Sequence, residues 1–237
     1  MNSEPLLRLH NVRYGWTPGS TLIDIDQFEI NHGESVFLRG PSGSGKSTLL
    51  GLIGGVIGPR SGEIAVLGQS LSDASPARRD RIRADHLGII FQQFNLLPYL
   101  SVTENITLPI RFSRVRRTVL RQASDTAEAE AARLIERLGL PESLANQPIS
   151  KLSVGQQQRV AMARALIGGP DLIIADEPTS ALDTENRDRF IELLNEQRMQ
   201  TQTGLLFVSH DIQLATHFDR VIELEDLNAA KSEEAVS

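Results

Sequence analysis

The sequence predicts an α/β fold: a mainly parallel sheet, an N-terminal antiparallel β part and an inserted helical subdomain. Three observations predict it. Short continuous apolar runs at 35–38, 87–91, 171–175 and 205–208 suit strands buried on both faces of a parallel sheet. Between the second and third runs, near residues 95–165, the pattern is almost wholly helical. A glycine-rich run, 40–47, joins the first apolar strand directly to a helix start.

The elements follow in order. Residues 6–13 and 22–30 read as strands, with Thr17-Pro18-Gly19-Ser20 as the turn between their neighbourhoods. After the strand at 35–38 and the glycine run, residues 47–53 open a helix, and 63–67 reads as another strand. Residues 75–84 form a basic helix ahead of the buried strand 87–91. Ser101-Val102-Thr103-Glu104 has the form of a capping box, which starts a helix near Val102. The Ala- and Glu-rich stretch 123–138 reads as a helix stopped by Gly139. One domain is expected over 1–225, with a polar, frayed tail over 226–237.

Bulk composition narrows the function. At 237 residues the chain is long enough for one large domain carrying an insertion. A formal net charge of −6 argues against a nucleic-acid partner held by bulk positive charge. With no cysteine, disulfides and thiolate metal sites are excluded, which fits a reducing cytosol. Met1-Asn2-Ser3-Glu4-Pro5 has no basic start followed by an apolar core, so no signal peptide is expected. The most apolar helix candidate, 49–57, is broken by glycines and too short to cross a bilayer. The chain is therefore expected to be soluble, with any membrane role exerted through a partner.

The run Gly40-Pro41-Ser42-Gly43-Ser44-Gly45-Lys46-Ser47 fits G-x-x-x-x-G-K-[ST], the phosphate-binding loop (P-loop) of nucleoside triphosphatases. Glycines let backbone N–H groups turn inward around an anion. Lys46 reaches the β- and γ-phosphates, Ser47 supplies a hydroxyl for Mg²⁺, and Thr48 in the helix's first turn joins the binding set. Strand, glycine loop and helix start together aim the helix's positive end at phosphate. A P-loop NTPase core is the expected architecture.

Such a core needs a metal anchor and a group to position water. Leu172-Ile173-Ile174-Ala175-Asp176-Glu177 is an apolar strand ending in two carboxylates. Asp176 is the expected Mg²⁺ anchor and Glu177 the catalytic carboxylate facing the attacking water. His210 follows the strand 205–209, at an edge where ligands of open α/β sheets collect. Gln92 follows strand 87–91, and its amide can join metal or water.

Leu152-Ser153-Val154-Gly155-Gln156 then resembles the LSGGQ signature of ATP-binding-cassette (ABC) ATPases. The resemblance spans essentially the whole chain: phosphate loop, Gln92 loop, signature, strand acids, Ser180-Ala181-Leu182-Asp183 and His210 occur in the family's order. It implies that ATP and Mg²⁺ are the ligands, that 180–183 is the D-loop and that His210 is the switch histidine. It also implies that two copies sandwich two ATPs, with Ser153, Val154, Gly155, Gln156 and Asp183 acting on the partner's nucleotide. The signature departs from the family at Val154, where Gly is usual. The family stacks adenine on an N-terminal aromatic, and both Trp16 and Tyr14 are near; counted from Asn11, Trp16 matches better.

The segment 91–100, from Phe91 to Leu100, is unusually apolar and is similar to the region that receives a permease's coupling helix. Continued through Ile106 it most resembles the lipoprotein-release and macrolide-exporter branch. The implied partner is an integral-membrane permease with a large extracytoplasmic domain, the implied role is export or extraction of substrate from the membrane, and the implied place is the cytoplasmic face of the inner membrane. The alternative is a soluble ABC ATPase of iron–sulfur cofactor assembly using the same groove. Arg111, Arg114, Arg116, Arg117 and Arg121 read as a solvated basic face, or alternatively as a contact for anionic headgroups or an acidic loop.

Overall fold

The computed structural model describes residues 4–123, 125–180, 182 and 184–230. The chain opens with β1 (Leu7–Tyr14) and β2 (Ile23–Ile30), paired antiparallel from Leu7↔Ile30 to Tyr14↔Ile23. Next come β3 (Ser35–Arg39), α1 (Lys46–Ile53), β4 (Ser61–Val66) and β5 (Gln69–Ser70). α2 (Pro76–His86) leads into β6 (Leu87–Ile90), and the helical insertion follows as α3 (Val102–Phe112), α4 (Arg114–Gln122), α5 (Ala127–Arg137) and α6 (Val154–Leu166). The chain returns through β7 (Leu172–Asp176), α7 (Thr184–Thr201), β8 (Gly204–Val208), β9 (Arg220–Glu223) and α8 (Leu224–Leu227).

Among the described residues there are two sheets. One is antiparallel, ordered β2-β1-β4-β5; the other has five strands, ordered β6-β7-β8-β3-β9. All pairings in the second sheet are parallel. Its strands β3, β6, β7 and β8 are buried on both faces, so alternate side chains enter different cores. Phe37, Ile173, Ala175, Leu205 and Phe207 face the helical insertion and α7. Val36, Leu38, Leu172, Ile174, Leu206 and Val208 face α1 and the antiparallel sheet. The predicted fold class is therefore the observed one.

Register is what builds the site. Leu38 and Asp176 both lie opposite Val208, and Ile90 lies opposite Ala175. The carboxyl ends of β3, β6, β7 and β8 therefore finish level. Whatever follows each strand is delivered to one edge of the sheet.

Helix ends follow local chemistry. The expected capping box at α3 is present, with Ser101 Oγ accepting from Glu104 N at 3.2 Å and Glu104 Oε2 accepting from Ser101 N at 2.8 Å. The helix expected over 123–138 starts later, at Ala127, because Thr126 Oγ1 caps Ala129 N. Ser113 ends α3 and caps α4, with its hydroxyl accepting from Arg116 N.

Two expectations are corrected. Arg116 is no part of a solvated face: it is 1% exposed and donates to the carbonyls of Ile167 and Leu87 at 2.9 and 2.6 Å. Burial lowers its guanidinium to about 10, and the charges of Asp171 and Asp85 oppose that fall. Residues 226–230, expected in a frayed tail, are held to the body instead. Asn228 accepts from Asp24 N at 2.7 Å and donates to Leu22 O at 2.9 Å.

Candidate nucleotide site

The phosphate loop spans the gap between β3 and α1. Gly43 and Gly45 have φ of 83° and 99°, a left-handed conformation that side-chain-bearing residues rarely adopt. Gly45 is the N-cap of α1, and no side chain caps that terminus, so its leading N–H groups remain available to an anion. Ser44 Oγ is buried with no hydrogen-bond partner, a polar atom in the loop left wanting a ligand.

Lys46 folds back over the loop. Its ammonium donates to Gly40 O and Pro41 O at 2.7 Å each and lies 3.9 Å from Glu177 Oε1. Ser47 Oγ donates to Asp176 Oδ2 across a long 3.4 Å. Glu177 has φ of 44°, an uncommon conformation for a residue with a side chain and one that clusters at functional sites. It is fixed by its own N–H to Val208 O at 2.9 Å, and its carbonyl accepts from Ser180 N. Its carboxylate also accepts from His210 Nδ1 at 2.7 Å. A carboxylate only accepts, so Nδ1 carries the proton and Nε2 of the exposed ring is left for another partner.

Burial, and after it the charge of Glu177, raises the Asp176 carboxyl above the usual range, while Ser47 and Lys46 pull the other way. Two adjacent carboxylates under mutual repulsion are the natural seat for a cation. No group of three His, Cys, Asp or Glu residues able to hold a metal occurs among the described residues. That fits Mg²⁺ arriving with a triphosphate, because Mg²⁺ binds through one or two carboxylates plus phosphate oxygens and retains waters.

One cleft is lined by Lys46, Ser47, Thr48, Gln92, Asp176, Glu177 and His210. The structure thus gathers residues more than 160 positions apart in sequence order. A second cleft of about 770 Å³ adjoins it across Leu22, Ser42 and Gly43, and Trp16 lines its wall. Trp16 is 64% exposed. Tyr14 packs against the β-sheet core and meets Trp16 edge-on, with centroids 5.2 Å apart.

The signature opens α6. Ser153 Oγ accepts from Gln156 N at 3.3 Å and Gln156 Oε1 accepts from Ser153 N at 2.9 Å, so these side chains form a capping box. Val154 is half exposed. A Cβ added at Gly155 would meet nothing within 4 Å. Glycine inside a helix costs about 1 kcal/mol relative to alanine. This chain's own packing does not require that cost. Asp183 lies outside the described residues.

The loop after Gln92 shows what sequence reading missed. Phe94 and Asn95 both have left-handed φ, 59° and 48°. Arg164, on α6, donates to their carbonyls at 2.5 and 2.7 Å. Burial lowers its guanidinium. The fully buried Asn105 secures the rest of the loop, donating to Leu97 O, Leu100 O and Ser101 O and accepting from Leu97 N. No motif marks either residue; an Asn one turn into a capped helix is the one available sign. The segment splits in character: Phe94 is buried in the core, whereas Phe91 is partly exposed and Tyr99 is 77% exposed.

The profile of the family described as "ABC transporter" matches residues 23–180. The chain is 40% identical to the lipoprotein-releasing system ATP-binding protein LolD of Novosphingobium aromaticivorans, over 94% of this chain and 98% of that protein. It is 37% identical to the macrolide export ATP-binding/permease protein MacB of Haemophilus ducreyi, over 94% of this chain but 31% of that protein. Among solved structures, a dimeric post-hydrolysis state of the ATP-binding cassette MJ0796 bound to ADP and Pi superposes with a TM-score of 0.80. It shares 35% identity, covering 96% of this chain and 97% of that one.

Proposed function

We propose, from the premise that this chain belongs to the ABC transporter family, that it is the ATP-hydrolysing subunit of a transporter that exports a substrate or extracts it from the membrane. The observation that carries the reading is the convergence of Lys46, Ser47, Gln92, Asp176, Glu177 and His210 on one sheet edge. Lys46 and the α1 N-terminus hold the phosphates. Asp176, Ser47 and Gln92 are the residues for Mg²⁺, which when bound neutralises charge on the phosphate oxygens. Glu177 accepts a proton from the attacking water, and His210 holds its carboxylate in place. The relatives reported above are transporter cassettes, and none favours iron–sulfur cofactor assembly.

Two copies close on two ATPs, with Ser153, Val154, Gly155, Gln156 and Asp183 of each addressing the other's nucleotide. The clear space at Gly155 and the dimeric MJ0796 relative support this arrangement. No helix among the described residues is long and apolar enough to cross a membrane. A permease with an extracytoplasmic domain therefore supplies the membrane part and holds the cassette at the cytoplasmic face. It docks near Phe91–Leu100, where Phe91 and Tyr99 offer exposed aromatic surface beside Gln92.

Lys46→Ala tests the nucleotide reading. Equilibrium titration with Mg–ATP is expected to show affinity at least ~10-fold weaker, since the ammonium's charge-assisted bonds to phosphate are lost. Unchanged affinity rejects the cradle. The docking reading is tested by the Phe91→Ala/Tyr99→Ala pair. Both side chains are exposed, so the fold and the intrinsic hydrolysis rate stay within about twofold of the parent. Stimulation by the reconstituted permease is lost; full stimulation would dismiss the groove.

A further inference from the structure

The C-terminal segment 224–230 contributes to the wall of the larger cleft, which Trp16 also lines. Leu224, Glu225, Asn228, Ala229 and Ala230 line it together with Trp16 and the tip of the phosphate loop. No nucleotide motif reaches this part of the chain. Its position is nevertheless tightly set. Leu224 is buried, and a Cβ on Gly40 would stand 3.2 Å from Leu224 Cβ, so the segment backs directly onto the first glycine of the phosphate loop.

Asn228 pins the segment at the other end. Its side chain bridges the backbone at the start of β2, accepting from Asp24 N at 2.7 Å and donating to Leu22 O at 2.9 Å. Ala229 N adds a bond to Asp24 O at 2.8 Å, and Ala230 N donates back to Asn228 Oδ1 at 3.3 Å. Leu22 itself lines both clefts. One asparagine therefore fixes the C-terminal segment to the start of β2, just after Leu22, the residue that joins the two clefts.

We infer that segment 224–230 is the second wall of the nucleobase subsite and that Asn228 is its positioning residue. The inference rests on the reading of this chain as an ATP-binding cassette. A triphosphate seated on the α1 N-terminus projects its nucleoside past Gly43 into the Trp16 cleft. The exposed indole presents an aromatic face to the base, and the segment closes the opposite side. Glu225 places a carboxylate on that wall, an acceptor-only group that suits a base carrying an exocyclic amino group.

The test compares Mg–ATP with inorganic tripolyphosphate, which occupies the phosphate loop but carries no base. Asn228→Ala frees the wall; Asn228→Asp keeps the size and the acceptor for Asp24 N but loses the donor to Leu22 O. Freeing one wall is expected to weaken ATP binding about tenfold in Asn228→Ala, less in Asn228→Asp. Tripolyphosphate binding stays at the parental value in both. Equal weakening of both ligands would mean that Asn228 only supports the fold around the phosphate loop, and unchanged ATP affinity would remove the wall altogether; either overturns the inference. If the parental chain bound neither ligand, the nucleotide reading itself would fall. Glu225→Ala changes an exposed residue and leaves folding untouched. It is expected to reduce the preference for ATP over inosine triphosphate, which has a carbonyl where adenine has its amino group, and an unaltered preference would exclude Glu225 from the base contact.

Discussion

Glu177→Gln is expected to lower ATP turnover by roughly 10²–10⁴-fold, the range general-base groups contribute, while leaving Mg–ATP binding intact. The geometry argues for both halves of that result. Glu177 sits in a left-handed conformation between Lys46 and His210, held by backbone bonds to Val208 and Ser180 that do not involve its side chain. The amide keeps the shape and those backbone bonds but cannot take a proton from water. Removing the charge also relieves the repulsion that Glu177 exerts on Asp176 and on any polyanion nearby. Binding is therefore maintained or tightened. With chemistry blocked and closure permitted, an ATP-bound dimer accumulates. Phosphate release checks the first half, and size-exclusion chromatography with and without Mg–ATP checks the second. A variant that hydrolyses ATP at the parental rate would remove Glu177 from the catalytic role.

Much of this arrangement was legible because strand burial and ligand chemistry leave strong local traces. A strand buried on both faces is a short continuous apolar run, and four of the five parallel strands announce themselves in that way. The fifth, β9, reads Arg-Val-Ile-Glu and lies at the sheet edge, paired only to β3. An edge strand of four residues with charged ends has no comparable signature. The phosphate loop, the two strand acids and the histidine were legible because each follows a readable strand, and parallel register then forces them to one edge.

Long-range polar burial was not legible. Arg116 looks like one more arginine in a basic run, yet Ser113 and Asp85 bond each other beside it and its guanidinium closes two backbone carbonyls. Arg164 and Asn105 shape the Gln92 loop through backbone carbonyls, which carry no side-chain identity for a sequence to display. Asn228 belongs to the same class. In each case the partner is main chain brought near by topology, so the residue type alone cannot announce the bond.

Asp176→Asn separates stability from function in the same cleft. Burial and the charge of Glu177 raise the Asp176 carboxyl in the folded chain, so the native state holds that proton more tightly than the unfolded state does. Between the ordinary carboxylate pKa and the raised folded value, stability falls as pH rises; above the folded value the full penalty of the buried charge persists. Asparagine removes the charge and can still accept from Ser47. At neutral pH the nucleotide-free variant is expected to melt at a higher temperature than the parent. That difference should shrink as pH is lowered through the folded pKa of Asp176. Hydrolysis moves the opposite way. Losing the one carboxylate positioned with Ser47 to anchor Mg²⁺ forfeits charge stabilisation of several kcal/mol, an expected fall of at least ~100-fold in turnover. The gain in melting temperature that Mg²⁺ gives over ATP alone should vanish with it. Thermal melts across pH, with and without Mg–ATP, read all of these effects in one series. A variant less stable than the parent without nucleotide would make Asp176 a structural carboxylate. Preserved Mg²⁺-dependent turnover would place the metal anchor elsewhere. The expected combination, a more stable and inactive chain, marks Asp176 as a charge retained for its ligand against the preference of the fold.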